Sequence, residues 1–298
     1  MKTLIVIVGP TGVGKTALCL KVAEELNTVI VNADSRQIFS EIPIGTAAPT
    51  ADEQQRVRHY FVGNHHIGDY YSASMFETDV MTLLDDLFRD REQVVLSGGS
   101  MMYVDAVCNG IDDIPSVDPD IRRQVMADYE REGLETLCAR LEKLDPEYFS
   151  IVDRKNPKRV IHAVEICLST GKTYTSFRTN VRKDRPFRII KIGLTLERDI
   201  LYDRIDRRVD KMISDGLVSE AQAMYPHRHL NALNTVGYKE LFDYFDGKCT
   251  LDEAVFKIKC NTHKYCRKQL TWFKRDKDIR WFSPANIEEI INYIRTYR

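Results

Sequence analysis

The sequence predicts an α/β fold: a parallel sheet core flanked by helices, with an all-helical insertion. Three observations carry this. Short, continuous apolar runs end at glycine or polar residues, as strands buried on both faces do. Stretches with helical spacing separate them, the order expected of a parallel sheet with right-handed crossovers. Between Asp113 and Pro186 the strand signal disappears and helical periodicity alone remains.

In chain order, residues 4–8 form the first strand and run into Gly9. Residues 16–26 place Ala17, Leu18, Leu20, Val22, Ala23 and Leu26 on the apolar face of a helix. Residues 29–32 are a second buried strand, followed by Asp34; residues 93–97 are a third, closed by Gly98-Gly99. The middle of the chain reads as helices over 121–132, 134–144 and 158–169, bordered by Pro115, Pro119 and Pro186. A fourth strand spans 188–195 and an edge strand 278–282. The remaining C-terminal chain reads as helices over 198–215, 218–224, 238–245, 251–277 and 287–297. The expected division is a core of residues 1–112 and 187–298, with an insertion at 113–186.

Composition narrows the function class. Hydrophobic residues make up 43% and charged residues 29%, which is globular rather than disordered. No apolar run approaches the roughly 18 residues a membrane span requires. The seven cysteines are scattered and odd in number, which suits thiols in a reducing compartment. A cytoplasmic protein without a membrane is expected. Net charge is only −1, but it is unevenly spread. Residues 1–153 hold 13 Lys+Arg against 26 Asp+Glu, residues 154–191 hold 11 against 2, and residues 255–281 hold 9 against 2. The two basic blocks are either a polyanion surface or a pair of solvated helix faces.

Gly9-Pro10-Thr11-Gly12-Val13-Gly14-Lys15-Thr16 matches the phosphate-loop pattern G-x-x-x-x-G-K-[ST], between a strand and a helix as the motif requires. Glycines let successive amides converge on an anion, and the helix N-terminus adds a favourable dipole. Lys15 reaches the outer phosphate and the Thr16 hydroxyl is positioned to ligate Mg²⁺. The loop accepts any pyrophosphate-like group: ATP, GTP or a prenyl diphosphate. Phosphoryl-transfer enzymes of this class carry a second carboxylate at a later strand end. Here that strand ends Ser97-Gly98-Gly99-Ser100. Asp34 follows the second strand and therefore belongs near the loop. It suits a proton acceptor, a metal holder or a helix N-cap. Arg204 and Arg208 share a helix face at i, i+4, as an anion clamp or a solvated face.

Together these segments resemble the tRNA dimethylallyltransferases (tRNA isopentenyltransferases). The matching stretches are the phosphate loop, Asp34-Ser35-Arg36-Gln37, residues 44–50 (IGTAAPT), 71–76 (YSASMF) and 98–103 (GGSMMY). They continue with Asn156-Pro157-Lys158-Arg159, Thr170-Gly171, residues 204–208 (RIDRR), 236–240 (VGYKE) and 268–273 (KQLTWF). Met101 stands where the family has glycine, and Phe39 where it has tyrosine. No zinc finger like that of the eukaryotic branch is present, so a bacterial-type member is expected.

The resemblance implies a phosphate-loop NTPase-like core and a defined reaction. A dimethylallyl group passes from its diphosphate to N6 of adenine 37, beside the anticodon, in tRNAs reading codons that start with U. It implies Mg²⁺ held through Thr16 as cofactor and no obligate protein partner. The residues of the loop, with Arg204 and Arg208, would bind the diphosphate. Asp34, with Thr11, Lys15 and Arg208, would be catalytic, Asp34 taking the N6 proton as the amine becomes acidic on alkylation. Asp34, Ser35, Arg36, Gln37, Ser100, Arg122, Lys158, Arg159, Val160, Ile161 and His162 would contact the tRNA anticodon stem-loop. Three rivals remain on the residues alone: a small-molecule kinase, a nucleotide-dependent binding switch, and transfer to free AMP. The pattern Cys260-x2-His263-x2-Cys266 lacks a fourth ligand nearby and is read as structural.

Overall fold

The computed structural model describes residues 1–179 and 181–297. Its first elements are β1 (Thr3–Val8), α1 (Lys15–Glu25), β2 (Ile30–Asn32), α2 (Pro43–Thr46), α3 (Ala51–Arg56) and β3 (His59–Tyr60). Next come α4 (Ala73–Asp90), β4 (Gln93–Gly98), α5 (Met101–Asn109), α6 (Pro119–Leu144), α7 (Pro146–Ile151) and α8 (Pro157–Thr170). The chain then forms β5 (Arg188–Leu194), α9 (Arg198–Ser214), α10 (Leu217–Met224), α11 (Tyr238–Phe245), α12 (Leu251–Phe273), β6 (Arg280–Phe282) and α13 (Ile287–Arg295). Two compact units result: Met1–Asn109 with Asp184–Arg298, and Gly110–Lys183. Each border lies a few residues before the one read from the sequence. Among the described residues no helix is long and apolar enough to cross a membrane.

The larger unit is a six-stranded sheet in the order β3-β2-β4-β1-β5-β6, parallel at every pairing. The fold class expected from the sequence is the one observed. Alternation along β1 explains the layers. Leu4, Val6 and Val8 pack into one core with Phe76, Val80 and Leu84 of α4. Ile5 and Ile7 pack into the opposite core with α1 and with Leu201 and Ile205 of α9. A strand buried on both faces reads as a continuous apolar run because both alternating sets are apolar. A third cluster joins Ile38 and Ile42 to Leu217, Tyr238 and Ile258.

Some elements differ from the sequence reading. β3 has two residues, too few for a periodic signal. The reading did not single out α4, although Ser72 caps it and Phe76, Val80, Leu84 and Leu87 form its buried stripe. α12 stops at Phe273, four residues short of the expected end at 277, where its last carbonyls meet the turn around Lys274 and Asp276. Met101 opens α5 with ordinary helical geometry, so its replacement of a glycine needs no special backbone. Phe39 is 5% exposed, an apolar site in which a hydroxyl would lack water.

In the smaller unit the only regular secondary structure among the described residues is helical. Gly133 (φ 80°, ψ 179°) breaks α6 into two helices, at the border expected between 132 and 134. Its core contains Val125, Leu137, Leu141, Val160 and Val164. Asp145, 1% exposed, accepts bonds from the Tyr148 and Thr175 amides (2.9 and 2.7 Å) and the Thr175 hydroxyl (2.9 Å). This fixes the chain beyond α8.

Candidate active site

The carboxyl ends of the parallel strands open onto a cleft of about 920 Å³ in the larger unit. Register brings the ends together: Val8 pairs with Gly98, and Asn32 with Ser97. Gly98 must be glycine. A Cβ there would lie 2.0 Å from the Ala33 carbonyl oxygen, so the backbones entering the site touch.

One end of the cleft is the phosphate loop. Gly14 has φ 104° and immediately precedes α1, a left-handed conformation open to glycine at little cost. Gly12, Gly14, Lys15 and Thr16 line the cleft, with Thr11 beside them. Val13 does not; it is wholly buried in the core below the loop. Gly9 and Pro10 contribute carbonyls, each accepting a 2.9 Å bond from Lys15 Nζ. Burial, reinforced by the Arg208 charge, lowers the Lys15 pKa to about 8, while Asp34 opposes the shift.

Arg204 and Arg208 of α9 both face this end. The Arg204 guanidinium lies against Gly14, 3.1 Å from where a Cβ would project. Arg208 donates to the Thr46 carbonyl at 3.5 Å. Burial lowers its pKa, and Asp34 partly offsets this. The i, i+4 spacing brings both guanidiniums to the same cleft, Arg204 exposed and Arg208 largely covered.

Asp34 lines the same cleft, near enough to Lys15 and Arg208 for its charge to act on both. Its Oδ1 accepts the Arg36 and Gln37 amides at 2.9 and 3.4 Å, capping the turn it begins. Oδ2 accepts no hydrogen bond among the described residues. The local capping role and exposure to the cleft therefore coexist. Arg36 is half-buried beside Asp34, Tyr103 and Tyr265, and burial lowers its pKa. Gln37 donates to the carbonyls of Thr46 and Ala47, both at 3.0 Å. Ser100 is buried: its hydroxyl accepts the Ser35 amide at 2.8 Å and donates to the Ser35 hydroxyl at 3.0 Å.

Three supporting residues escaped assignment from the sequence. Gln269 of α12 accepts the Thr11 amide at 2.9 Å and donates to the Gly99 carbonyl at 2.8 Å. Glu220 of α10 accepts the Ile44 and Gly45 amides at 2.9 and 2.8 Å. Tyr238 donates to Glu220 at 2.5 Å. The motif segments 44–50, 236–240 and 268–273 contain Gly45, Tyr238 and Gln269, but their partners lie far away in sequence.

The remaining expected contacts lie in the helical unit. Val160 and Ile161 are 0% and 9% exposed in its core, so their side chains are packing residues. That corrects the expectation that the whole stretch 158–162 meets RNA; Lys158, Arg159 and His162 reach the surface. Arg122 and His162 both approach the buried Glu165, at 3.6 and 3.7 Å. In the second basic block, Trp272 donates to Asp105 at 2.8 Å and Phe273 is buried, whereas Tyr265 lines the cleft.

Fold and site define a phosphate-loop protein with a carboxylate in the cleft that the loop lines. The IPP transferase profile matches residues 37–276, and the chain belongs to that family. Among similar proteins, tRNA dimethylallyltransferase 1 of Phocaeicola vulgatus is 62% identical over 294 residues, covering 99% of this chain and 98% of that one. The protein of the same name from Bacteroides thetaiotaomicron is 61% identical over 295 residues, covering 99% and 96%. The crystal structure of a Bacillus halodurans tRNA isopentenylpyrophosphate transferase is 35% identical, covers 99% of this chain and 96% of that one, and superposes with TM-score 0.73. A eukaryotic dimethylallyltransferase acting on tRNA shares the fold at TM-score 0.80 and 24% identity, over 97% of this chain and 75% of that one.

Proposed function

We propose that the chain transfers a dimethylallyl group from dimethylallyl diphosphate to N6 of adenine 37, beside the anticodon, in tRNAs reading codons that begin with U. The observation carrying this is one cleft lined by a phosphate loop, two arginines and Asp34. The identity of more than 60% to tRNA dimethylallyltransferases over almost the whole chain supports it.

In this reading N6 attacks C1 of the allyl group, and the C1–oxygen bond to diphosphate breaks. Asp34 Oδ2 takes the N6 proton, and Thr11 orients the amine. The amides of Gly12–Thr16, Lys15, Arg204 and Arg208 stabilise charge on the departing diphosphate. Lys15 leaves the Gly9 and Pro10 carbonyls for the anion. No phosphoryl group moves, so a strand-end carboxylate at 97–100 is unnecessary.

The donor set fits Mg²⁺. Thr16 offers a hard hydroxyl oxygen in the cleft, of the kind Mg²⁺ takes. Magnesium characteristically keeps water and substrate phosphates as its other ligands. When bound through Thr16 it would supply positive charge to the leaving diphosphate.

The acceptor adenine must leave its stack to reach Asp34. Arg36 and Tyr265 offer a cation and a ring for an unstacked base. Lys158, Arg159, His162 and Arg122 hold the stem-loop backbone from the helical unit, and the exposed cations of α12 add phosphate contacts.

Purified protein with Mg²⁺ and unmodified tRNA, given dimethylallyl diphosphate or ATP, tests the reading by nucleoside mass spectrometry. The expected product is adenosine carrying one prenyl unit, formed with dimethylallyl diphosphate alone. ADP formation without prenylated adenosine would favour the kinase reading.

A further inference from the structure

Gln269 occupies an unusual place. It is 1% exposed, yet both ends of its amide are used by backbone groups from two different segments lining the cleft, the phosphate loop and the turn after β4. The Thr11 amide can only donate and the Gly99 carbonyl can only accept. The side chain's orientation is therefore fixed, with Oε1 toward the loop and Nε2 toward Gly99. Gly99 leaves the room for this. A Cβ there would lie 2.5 Å from Gln269 Nε2 and 3.8 Å from Asp34 Oδ2, so Gly99 sits between the amide and the carboxylate.

The connection continues on the far side. The next residue, Ser100, donates its amide to the Ala33 carbonyl at 3.2 Å and holds Ser35 through its hydroxyl. Ala33 and Ser35 flank Asp34. A chain of hydrogen bonds thus runs from Thr11 through Gln269 and the Gly99-Ser100 backbone to the residues on each side of Asp34. Tyr265, one turn before Gln269 on α12, donates to the same Gly99 carbonyl at 3.4 Å.

We propose that Gln269 is a positioning residue that sets the spacing between the phosphate loop and Asp34, and hence between the leaving diphosphate and the proton acceptor. The proposal rests on the transferase reading for its kinetic consequence. It also implies that the Thr11 amide is spent within the fold, as is that of Val13 on the Pro10 carbonyl at 3.3 Å, so the first loop amide open to the diphosphate is that of Gly12. A neutral amide is required here: a carboxylate fails at Gly99, and an apolar side chain fails at both partners.

Two near-isosteric variants test this, Gln269→Glu and Gln269→Met, each compared with the wild type. Displacing reacting groups by about an ångström costs on the order of 100-fold in rate, so kcat should fall about that far in Gln269→Met while KM for tRNA and donor moves less than about threefold. Gln269→Glu should be equally slow at alkaline pH. Its rate relative to wild type should recover on acidification, because the protonated carboxyl again donates to Gly99. A purely structural residue would give no such recovery. A variant turning over within about threefold of wild type, a loss confined to KM, or a Glu-to-wild-type ratio flat with pH would overturn the proposal.

Hydrogen exchange gives a measurement independent of catalysis. In both variants, without substrate, peptides covering 9–14 and 97–102 should exchange faster while the β1–β5 pairing stays protected. If wild type makes no prenylated adenosine, the transferase reading falls and this arm decides alone. Faster exchange in both segments upholds the coupling; unchanged exchange refutes it. Should Gln269→Met fail to fold, Gln269→Glu, which keeps the shape and the Thr11 bond, carries both arms.

Discussion

The phosphate loop is made by eight consecutive residues, whereas the surroundings of Asp34 are assembled from distant stretches of chain. Gly9–Thr16 contains its own turn, its own cation and the start of its own helix. Ser35, beside Asp34, is held by Ser100 from 65 positions away, and Gln269 ties the loop to this assembly across 258. The difference is physical. An anion is recognised by convergent amides and a charge, which one loop supplies. A proton acceptor must stand at a set distance from the departing group, which only tertiary contacts can fix.

The largest effect should come from the acceptor itself. Asp34→Asn keeps Oδ1 to accept the Arg36 and Gln37 amides but removes the base. Turnover should drop on the order of 1,000-fold, with tRNA affinity changed only severalfold. Filter binding alongside single-turnover transfer separates the two quantities. Near-normal turnover would show that the carboxylate is not the acceptor.

At the phosphate end, Lys15→Ala removes one leaving-group contact while Arg204, Arg208 and the amides remain. A loss on the order of 100-fold in kcat is expected. A loss equal to that of Asp34→Asn would erase the contrast between a shared and a single-residue task.

The junction of the two ends should be sensitive in stability. Gly98→Ala places a methyl against the Ala33 carbonyl, so backbone must shift, and urea unfolding should show a loss of about 1–3 kcal/mol. An unchanged midpoint would mean that the two strand ends can separate freely.

Lys15 gives a pH signature confined to the phosphate end. With its pKa lowered to about 8, the free protein holds a charged amine below that value and a neutral one above it. The neutral form cannot pair with diphosphate. KM for the donor should therefore rise as pH passes about 8, by up to about tenfold per unit, while KM for tRNA stays level. A donor KM flat through pH 9 would contradict this.

The smallest effects belong to the helical unit. Lys158→Ala and Arg159→Ala should each weaken tRNA binding a few-fold and reduce the salt slope by about 1, with kcat at saturating tRNA unchanged. Equal salt slopes in wild type and variants would remove these residues from the RNA surface.

Much of this was legible in the sequence because its causes are local. The apolar runs of β1, β2, β4 and β5 follow from burial on both faces, and Gly133 interrupts α6 where two periodic stretches meet. The i, i+4 spacing of Arg204 and Arg208 fixes their common face whatever lies opposite. What β3 lacks is length, since two residues carry no period. Val160 and Ile161 stood inside a basic motif, and only packing against Leu137 and Leu141 turned them inward.

The sequence by itself determined the parallel sheet, the helical insertion, the phosphate loop and the presence of a carboxylate near it. Each depends on residues within a turn or two of one another, or on hydrophobic period. Only the tertiary structure decided that Ser100 holds Ser35, that Glu220 and Tyr238 fasten the 44–45 segment, and that Gln269 joins the phosphate loop to Gly99. Those bonds join groups that are near in space and far along the chain, and a side-chain amide carries no local mark of the backbone groups it will meet.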